Sequence, residues 1–188
     1  MATTLLSRAA DGDDALMRRV AARDAAAFRL LVERHSARAY RLAWRMLGDG
    51  TEAEDVAQEA LLRLWKNADG WRGDGAGVAA WLTRVATNLC LDRLRKRKRI
   101  SDEDVPERAD EAPLADAVMT TAQDRAEVIR ALDSLPERQR AAVVLTYYED
   151  LPNAEAAQIL EMNIKAFESL LLRARRALQV LLLETADV

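Results

Sequence analysis

The stretch WLTRVATNLCLDRLRKRKR, residues Trp81–Arg99, decides the fold. Its apolar residues recur three and four positions apart, which predicts a helix with one face packed on a core. Arg84, Asn88 and Arg95 fall together on another face of that helix. The helix ends in Arg95-Lys96-Arg97-Lys98-Arg99, a run that contains no acidic residue. Such a run is either a solvated face or an anchor for phosphates, and a core-facing stripe that fixes where the charges point favours phosphates.

The composition of the whole chain limits what it can be. With 188 residues, half of them hydrophobic, it can bury one or two modest cores. No apolar run is long enough to span a bilayer, and the N-terminus lacks the order of a signal peptide, so we expect a cytoplasmic protein with no membrane insertion. The single cysteine, Cys90, and the single histidine, His35, argue against disulfides and a metal site. Cys90 is expected to be a small buried residue, with a redox sensor as the alternative, and His35 is expected to lie at a helix interface. No cofactor is expected.

The net charge of −3 conceals a strong segmentation. Residues 1–100 carry nineteen basic and thirteen acidic residues, a net of +6. Residues 101–123 carry seven acidic residues against Arg108, a net of −6. The acidic average therefore does not exclude a nucleic-acid partner for the first half of the chain.

The periodicity predicts an all-α protein made of two small helical domains. The first domain covers residues 13–100 and the second covers 124–183. Between them, residues 101–123 contain two prolines and many acids, which predicts a flexible acidic linker. Short tails, 1–12 and 184–188, complete the chain. Within the first domain, Asp24 is predicted to cap a helix, and Thr51-Glu52-Ala53-Glu54 reads as a capping box that opens the next helix.

The helix after Thr51 has a polar stripe opposite its apolar face. On residues alone this is compatible with an ordinary surface helix, with acids in its first turns and bases in its last, as the helix dipole favours. The stripe consists of Asp55, Gln58, Glu59, Leu62, Arg63 and Lys66.

A glycine-rich loop, Asn67–Gly77, follows and contains Trp71. It is not a GxxxxGK[ST] phosphate loop and does not follow a strand. The tryptophan either folds back onto the helices or stacks on a ligand or base.

The second domain contains a short helix, a turn at Glu161-Met162-Asn163 and a longer helix. This spacing is typical of a helix-turn-helix, although many helical hairpins share it. Asn163 is a good cap for the second helix of the pair. The candidate DNA contacts on that helix are Lys165, Ser169, Arg173, Arg175 and Arg176.

Five ordered motifs together resemble the bacterial extracytoplasmic-function (ECF) sigma factors of RNA polymerase. The resemblance covers nearly the whole chain. The motifs are DVAQEALLRLW from Asp55, WLTRVATNLCLDRLR from Trp81, LPERQR from Leu135, EAAQIL from Glu155 and RARRAL from Arg173.

The resemblance implies a role for each of these parts. Residues 13–100 would be sigma domain 2, whose Asp55–Lys66 stripe docks on the β′ clamp helices of core RNA polymerase. Asn88, Arg84 and the loop with Trp71 would receive a base flipped out of the minus-ten element, and Arg95–Arg99 would hold the adjacent backbone. Residues 124–183 would be sigma domain 4, which reads the minus-thirty-five element. Further implied partners are the polymerase β subunit and a cognate anti-sigma factor, and the protein would have no catalytic chemistry of its own.

Three departures from the family pattern bear on these roles. Glu161 stands where relatives often have glycine, so a left-handed backbone there would cost about 1 kcal/mol. Pro152 occupies a position that is often serine, which predicts that capping shifts to Asn153. Glu168 and Leu170 stand where many relatives carry basic residues, which predicts fewer phosphate contacts. They also leave open an alternative function, a sigma-like decoy that sequesters an anti-sigma factor.

Overall fold

The structure, a computed structural model, describes residues 12–72, 77–103 and 128–186. Every regular element within these ranges is helical, which confirms the all-α prediction. The predicted linker lies outside the described residues from 104 onward, and its first three positions continue the preceding helix. The described chain forms a first unit, residues 12–103, and a second unit, residues 128–186.

The first unit contains four α-helices. A 3₁₀ turn at Ala68–Gly70 follows the third of them. The helices are α1 (Asp13–Ala21), α2 (Ala25–Leu47), α3 (Gly50–Lys66) and α4 (Gly77–Glu103). Their shared core is aliphatic, and its largest buried side chains include Leu16, Leu31, Met46 and Leu64.

The second unit begins with a helical segment over residues 128–133. It continues as α5 (Glu137–Val143), a π-helical turn (Val144–Tyr148), α6 (Asn153–Ile159) and α7 (Ile164–Ala186). Phe167 is fully buried at its centre, with Leu132 and Leu145 also buried.

Capping residues set where helix α2 of the first unit begins and ends. The Asp24 carboxylate accepts hydrogen bonds from the amides of Ala26 and Ala27 at 2.9 and 3.2 Å, so the predicted cap of α2 is confirmed. A hydrogen bond from Arg19, 2.8 Å away, together with those amides, holds the pKa of this carboxyl below its usual value. At its other end α2 stops at Gly48, which adopts φ +67°, a left-handed conformation that suits glycine.

Two capping predictions are wrong. Helix α3 starts one residue before Thr51, and Asp49 caps it by accepting a hydrogen bond from the amide of Glu52 at 2.8 Å. Helix α6 is preceded by Pro152 and has no side-chain cap, so capping does not shift to Asn153. In both cases the residue that the capping pattern favoured already lies inside the first turn of the helix, so its side chain is not at the capping position.

Candidate nucleic-acid interface

One exposed line of residues follows the outer face of α4. Arg84, Asn88 and Arg95 are all exposed, and they are spaced so that they fall along the same side of the helix. The opposite face is fixed by burial of Leu82, Ala86 and other apolar residues of the stripe. The sequence prediction that these polar residues share one face is therefore confirmed, while their contact with DNA stays a prediction.

The basic run at the end of α4 does not act as one surface. Arg95, Lys96, Lys98 and Arg99 are exposed. Arg97 turns inward, where its Nε donates to Glu52 Oε1 at 3.1 Å and its Nη1 donates to the Leu47 carbonyl at 3.0 Å. Four of the five predicted phosphate contacts therefore point to solvent, and the fifth ties α4 to the junction of α2 and α3.

Trp71 adopts the fold-back arrangement. Its ring meets Trp81 edge-to-face, with the ring centroids 6.3 Å apart. Its Nε1 lies 3.4 Å from Asp14 Oδ1. The ring is half-buried, and residues 73–76 of the same loop lie outside the described residues.

The polar stripe of α3 is solvent-facing. Leu62, 52 % exposed, stands out as a large apolar side chain among charged neighbours. Glu59 pairs with Arg63 at 2.7 Å. Arg93 of α4 reaches within 3.7 Å of Asp55 and 3.9 Å of Glu59, so the helix that carries the basic run also orients the stripe's acids. Gln58, Arg63 and Lys66 are exposed beside them.

The turn between α6 and α7 has the geometry that the sequence predicts. Asn163 Oδ1 accepts a hydrogen bond from the Ala166 amide at 2.9 Å, which confirms the cap. Glu161 has φ +51°, so the left-handed conformation is kept without glycine. Arg138 of α5 donates to the carbonyl of Leu160, which ends α6, and so braces the turn from behind.

All five candidate contacts on α7 are exposed. Glu168 is exposed among them, so it does lower the positive charge of this surface. Leu170 is different: it is only 8 % exposed and belongs to the core with Phe167 and Leu171. The expectation that Leu170 costs the surface a phosphate contact is therefore wrong, because this side chain points into the core. The candidate contacts are Lys165, Ser169, Arg173, Arg175 and Arg176.

The structure places Cys90 in the core and His35 at a helix interface, as the sequence predicts. Cys90 is buried, and burial raises the pKa of its thiol to about 12 despite the nearby guanidinium groups of Arg93 and Arg97. His35 Nε2 lies 2.7 Å from Asp13 Oδ2, which joins α1 to α2. Cys90 therefore has very little thiolate at neutral pH, consistent with a packing role.

Sequence reasoning missed the contact between the two units. On the basic side of α2, Arg38 and Arg45 reach Glu149 and Tyr148 of the second unit. Arg140 of α5 is buried against the end of α2. The only sequence signal was an arginine-rich helix face without acids of its own, which does not identify a partner elsewhere in the chain.

Metal ligands and membrane-spanning helices can be considered for the parts of the chain that the structure describes. No group of three or more His, Cys, Asp or Glu side chains there is placed to hold a metal ion. No helix within the same ranges has the length and apolar character needed to cross a bilayer.

Comparison with known proteins agrees with the two-unit division. Residues 31–100 match the profile of Sigma-70 region 2, and residues 125–178 match that of Sigma-70, region 4. The ECF RNA polymerase sigma factor SigK of Mycolicibacterium vanbaalenii is 33% identical over 173 residues, which cover 88% of this chain and 87% of that protein. The chain belongs to the ECF family of sigma factors. SigE of Mycolicibacterium smegmatis is 37% identical over 153 residues, 79% of this chain but 59% of that longer relative.

Two solved structures share the fold. CnrH, solved in complex with the cytosolic domain of CnrY, has a TM-score of 0.67 and 28% identity, over 95% of this chain and all of CnrH. RpoE from Bartonella quintana, solved with the anti-sigma factor NepR, also has a TM-score of 0.67, with 26% identity over 82% of this chain and 96% of RpoE.

Proposed function

We propose that this ECF sigma factor binds core RNA polymerase, directs it to a specific set of promoters and helps to open the DNA there. The main support for the proposal is the agreement between the sequence profiles and the structure. The two profile matches fall on the two helical units, and each unit exposes a basic helix face. The protein supplies recognition and no catalytic group, and it works in the cytoplasm beside the polymerase.

The first unit would read the minus-ten element. Arg84 and Asn88 offer hydrogen-bond donors on one exposed face, as reading the edge of an extruded base requires. Trp71 borders this region from the preceding loop. The four outward basic residues, Arg95, Lys96, Lys98 and Arg99, would contact the backbone of the same DNA, where positive charge contributes affinity without sequence preference.

The α3 stripe would dock on the β′ clamp helices. It combines an exposed apolar centre, Leu62, with ordered charges such as the Glu59–Arg63 pair. An apolar side chain within a polar rim is the usual composition of a protein interface. Replacing Asp55 and Gln58 with alanine should weaken competition for core polymerase and leave DNA binding by the free protein unchanged.

The second unit would read the minus-thirty-five element with α7. Lys165 and Ser169 lie in its first turns, where a recognition helix contacts base edges, and the three arginines from Arg173 follow. We also propose the polymerase β subunit as a contact of this unit. A cognate anti-sigma factor is the further expected partner, since RpoE, a solved structural relative, was captured with the anti-sigma factor NepR.

Run-off transcription of a genomic fragment library by core polymerase tests the proposal. We expect discrete start sites that require the added protein and share two upstream sequence elements. The decoy alternative predicts no promoter-directed product while the protein still captures an anti-sigma factor. The match extends over 87% of SigK, an ECF sigma factor, and this favours the sigma function over the decoy.

A further inference from the structure

The turn after α1 holds an arginine in a backbone conformation that suits glycine. The amide of Arg23 donates to the Val20 carbonyl at 2.8 Å, and the amide of Asp24 donates to the Arg19 carbonyl at 3.0 Å. These two bonds form a Schellman motif, in which the left-handed residue is usually glycine. Arg23 adopts φ +62°, so this position carries a side chain at a cost to the backbone.

The side chain of Arg23 reaches the loop that follows α3. Its Nη2 donates to Asp69 Oδ2 at 2.8 Å, within the 3₁₀ turn. Its guanidinium carbon lies 5.8 Å from the ring centroid of Trp65, near the end of α3. The two side chains of the ion pair are 55% and 60% exposed, and pairs this exposed add little to stability. Stability therefore does not account for an arginine at this strained position.

Helix α1 holds the same loop at a second point. Trp71 Nε1 lies 3.4 Å from Asp14 Oδ1, and the Trp71 ring packs edge-to-face on Trp81. Ala68, which begins the 3₁₀ turn, is buried in the core of the first unit. The segment from residue 68 to residue 71 is therefore fixed by the core, by Arg23 and by Asp14.

These contacts set where Trp71 lies relative to the polar face of α4. Trp81, on which Trp71 packs, lies one turn before Arg84 and two turns before Asn88 on the same helix. An extruded base is read by a close fit to its edge and its faces, so a displaced Trp71 would change that fit. The match to Sigma-70 region 2 begins at residue 31, and α1 and its turn lie before it.

We propose that Arg23 and Asp14 are positioning residues for recognition of the minus-ten element. They hold the segment 68–71 so that Trp71 borders the place where the flipped base is read. This inference rests on the proposed function, because the position of Trp71 matters only if this face of α4 reads a base. The strain at Arg23 then has a use, since glycine would end the helix at less cost but could not reach Asp69.

The test replaces Arg23 with glycine in the full-length protein. Arg23→Gly relieves the strain, so its urea unfolding midpoint should equal or exceed that of the wild type. Transcription by core polymerase on promoters that differ at single minus-ten positions measures base preference. We expect Arg23→Gly to lower the preference at one position by about fivefold and to leave the other positions within about twofold.

A loss of preference at one position distinguishes positioning from a direct phosphate contact. The slope of log promoter affinity against log salt should be the same in Arg23→Gly and in the wild type. A slope lowered by about 0.9, with an equal loss on every promoter, would mark Arg23 as a phosphate contact and overturn the proposal.

Asp150→Gly is the matched control for the glycine substitution. Asp150 is exposed, lies in the second unit and has φ +53°, so its replacement relieves the same kind of strain without touching the loop. It should keep the wild-type preference at every minus-ten position. An unchanged preference in Arg23→Gly, or an equal loss in Asp150→Gly, would overturn the proposal.

Three further variants test the contacts themselves. Asp69→Ala and Asp14→Ala leave the backbone of Arg23 unchanged and should lose preference at the same promoter position as Arg23→Gly. Arg23→Lys keeps both the strain and a cation that can pair with Asp69, so it should retain most of the preference. Losses at unrelated positions would contradict a shared action through Trp71.

Hydrogen exchange separates the positioning role from the function on which it rests. Amides of residues 68–71 should exchange about tenfold faster in Arg23→Gly than in the wild type, and at the wild-type rate in Asp150→Gly. If exchange rises as expected but the wild type supports no promoter-directed transcription, the proposed function fails while the hold on the loop stands. If transcription is promoter-directed but neither exchange nor base preference changes, only the positioning role fails.

Discussion

Helices α4 and α7 are the two helices predicted to contact DNA, and they use their charges differently. In α4 the apolar stripe comes first and the bases follow it, so Arg95, Lys96, Lys98 and Arg99 extend past the buried part of the helix. In α7, exposed residues such as Lys165 and Glu168 alternate with core residues such as Phe167. The opposite charges of Lys165 and Glu168 offset each other. Non-specific affinity should therefore come mainly from α4 and sequence selection mainly from α7.

Removing four charges from each helix tests this division most directly. Changing Arg95, Lys96, Lys98 and Arg99 to glutamine should weaken holoenzyme binding to a promoter about 10²–10³-fold. It should also lower the slope of log affinity against log salt by about 3.6, since each lost phosphate contact removes about 0.9. Fluorescence anisotropy over a salt series measures both. Core-polymerase competition should be unchanged, because the α3 stripe is intact.

The matched control removes the same number of charges from α7. The variant changes Lys165, Arg173, Arg175 and Arg176 to glutamine. We expect a smaller loss of non-specific affinity but a clear loss of preference for the minus-thirty-five sequence. Equal salt slopes for the two quadruple variants would contradict the division of roles.

Lysine substitutions at Leu170 and Glu168 distinguish a core position of α7 from a surface position. Leu170→Lys would bury a charge among apolar side chains, which should lower the free energy of unfolding by about 2–4 kcal/mol and add no DNA contact. Glu168→Lys changes an exposed acid to a base. It should leave stability within about 0.5 kcal/mol and raise duplex affinity up to about tenfold. Urea unfolding and anisotropy on the same samples give both quantities, and tighter DNA binding by a stably folded Leu170→Lys would contradict the inward position.

The inward face of α4 can be probed through Cys90. The pKa of its thiol is about 12 when folded against a reference of 9.0, so above pH 9 the unfolded chain loses its thiol proton while the folded chain keeps it. Stability should therefore fall as pH rises between these values, by about 1.4 kcal/mol per unit and about 2 kcal/mol by roughly pH 10.5. Urea titrations of wild type and Cys90→Ala at each pH measure this difference. A wild type that loses no more stability than Cys90→Ala would contradict the burial argument.

The features that were predictable from sequence are those with a local cause. The cap at Asn163 follows from a side chain and amides three residues apart, and the stripe of α4 follows from helical periodicity. Leu170 was misassigned because family position, rather than local burial, decided its expected role. The partners of Arg38 and Arg140 are set by how two separately encoded units pack, more than 90 residues apart in sequence. No local pattern encodes such a contact.

The smallest expected effects come from two neighbours in the basic run, Arg97, which is bonded inside the protein, and Lys98, which is exposed. Arg97→Gln removes the inward bonds to Glu52 and Leu47, so it should lower the free energy of unfolding by about 1–2 kcal/mol with little effect on the salt slope of DNA binding. Lys98→Gln should do the reverse, leaving stability within about 0.5 kcal/mol and lowering the slope by about 0.9. Urea unfolding and salt-dependent anisotropy measure the pair. If both variants lowered the slope equally, Arg97 would have to leave Glu52 for the phosphates when DNA binds, and the run would act as one surface after all.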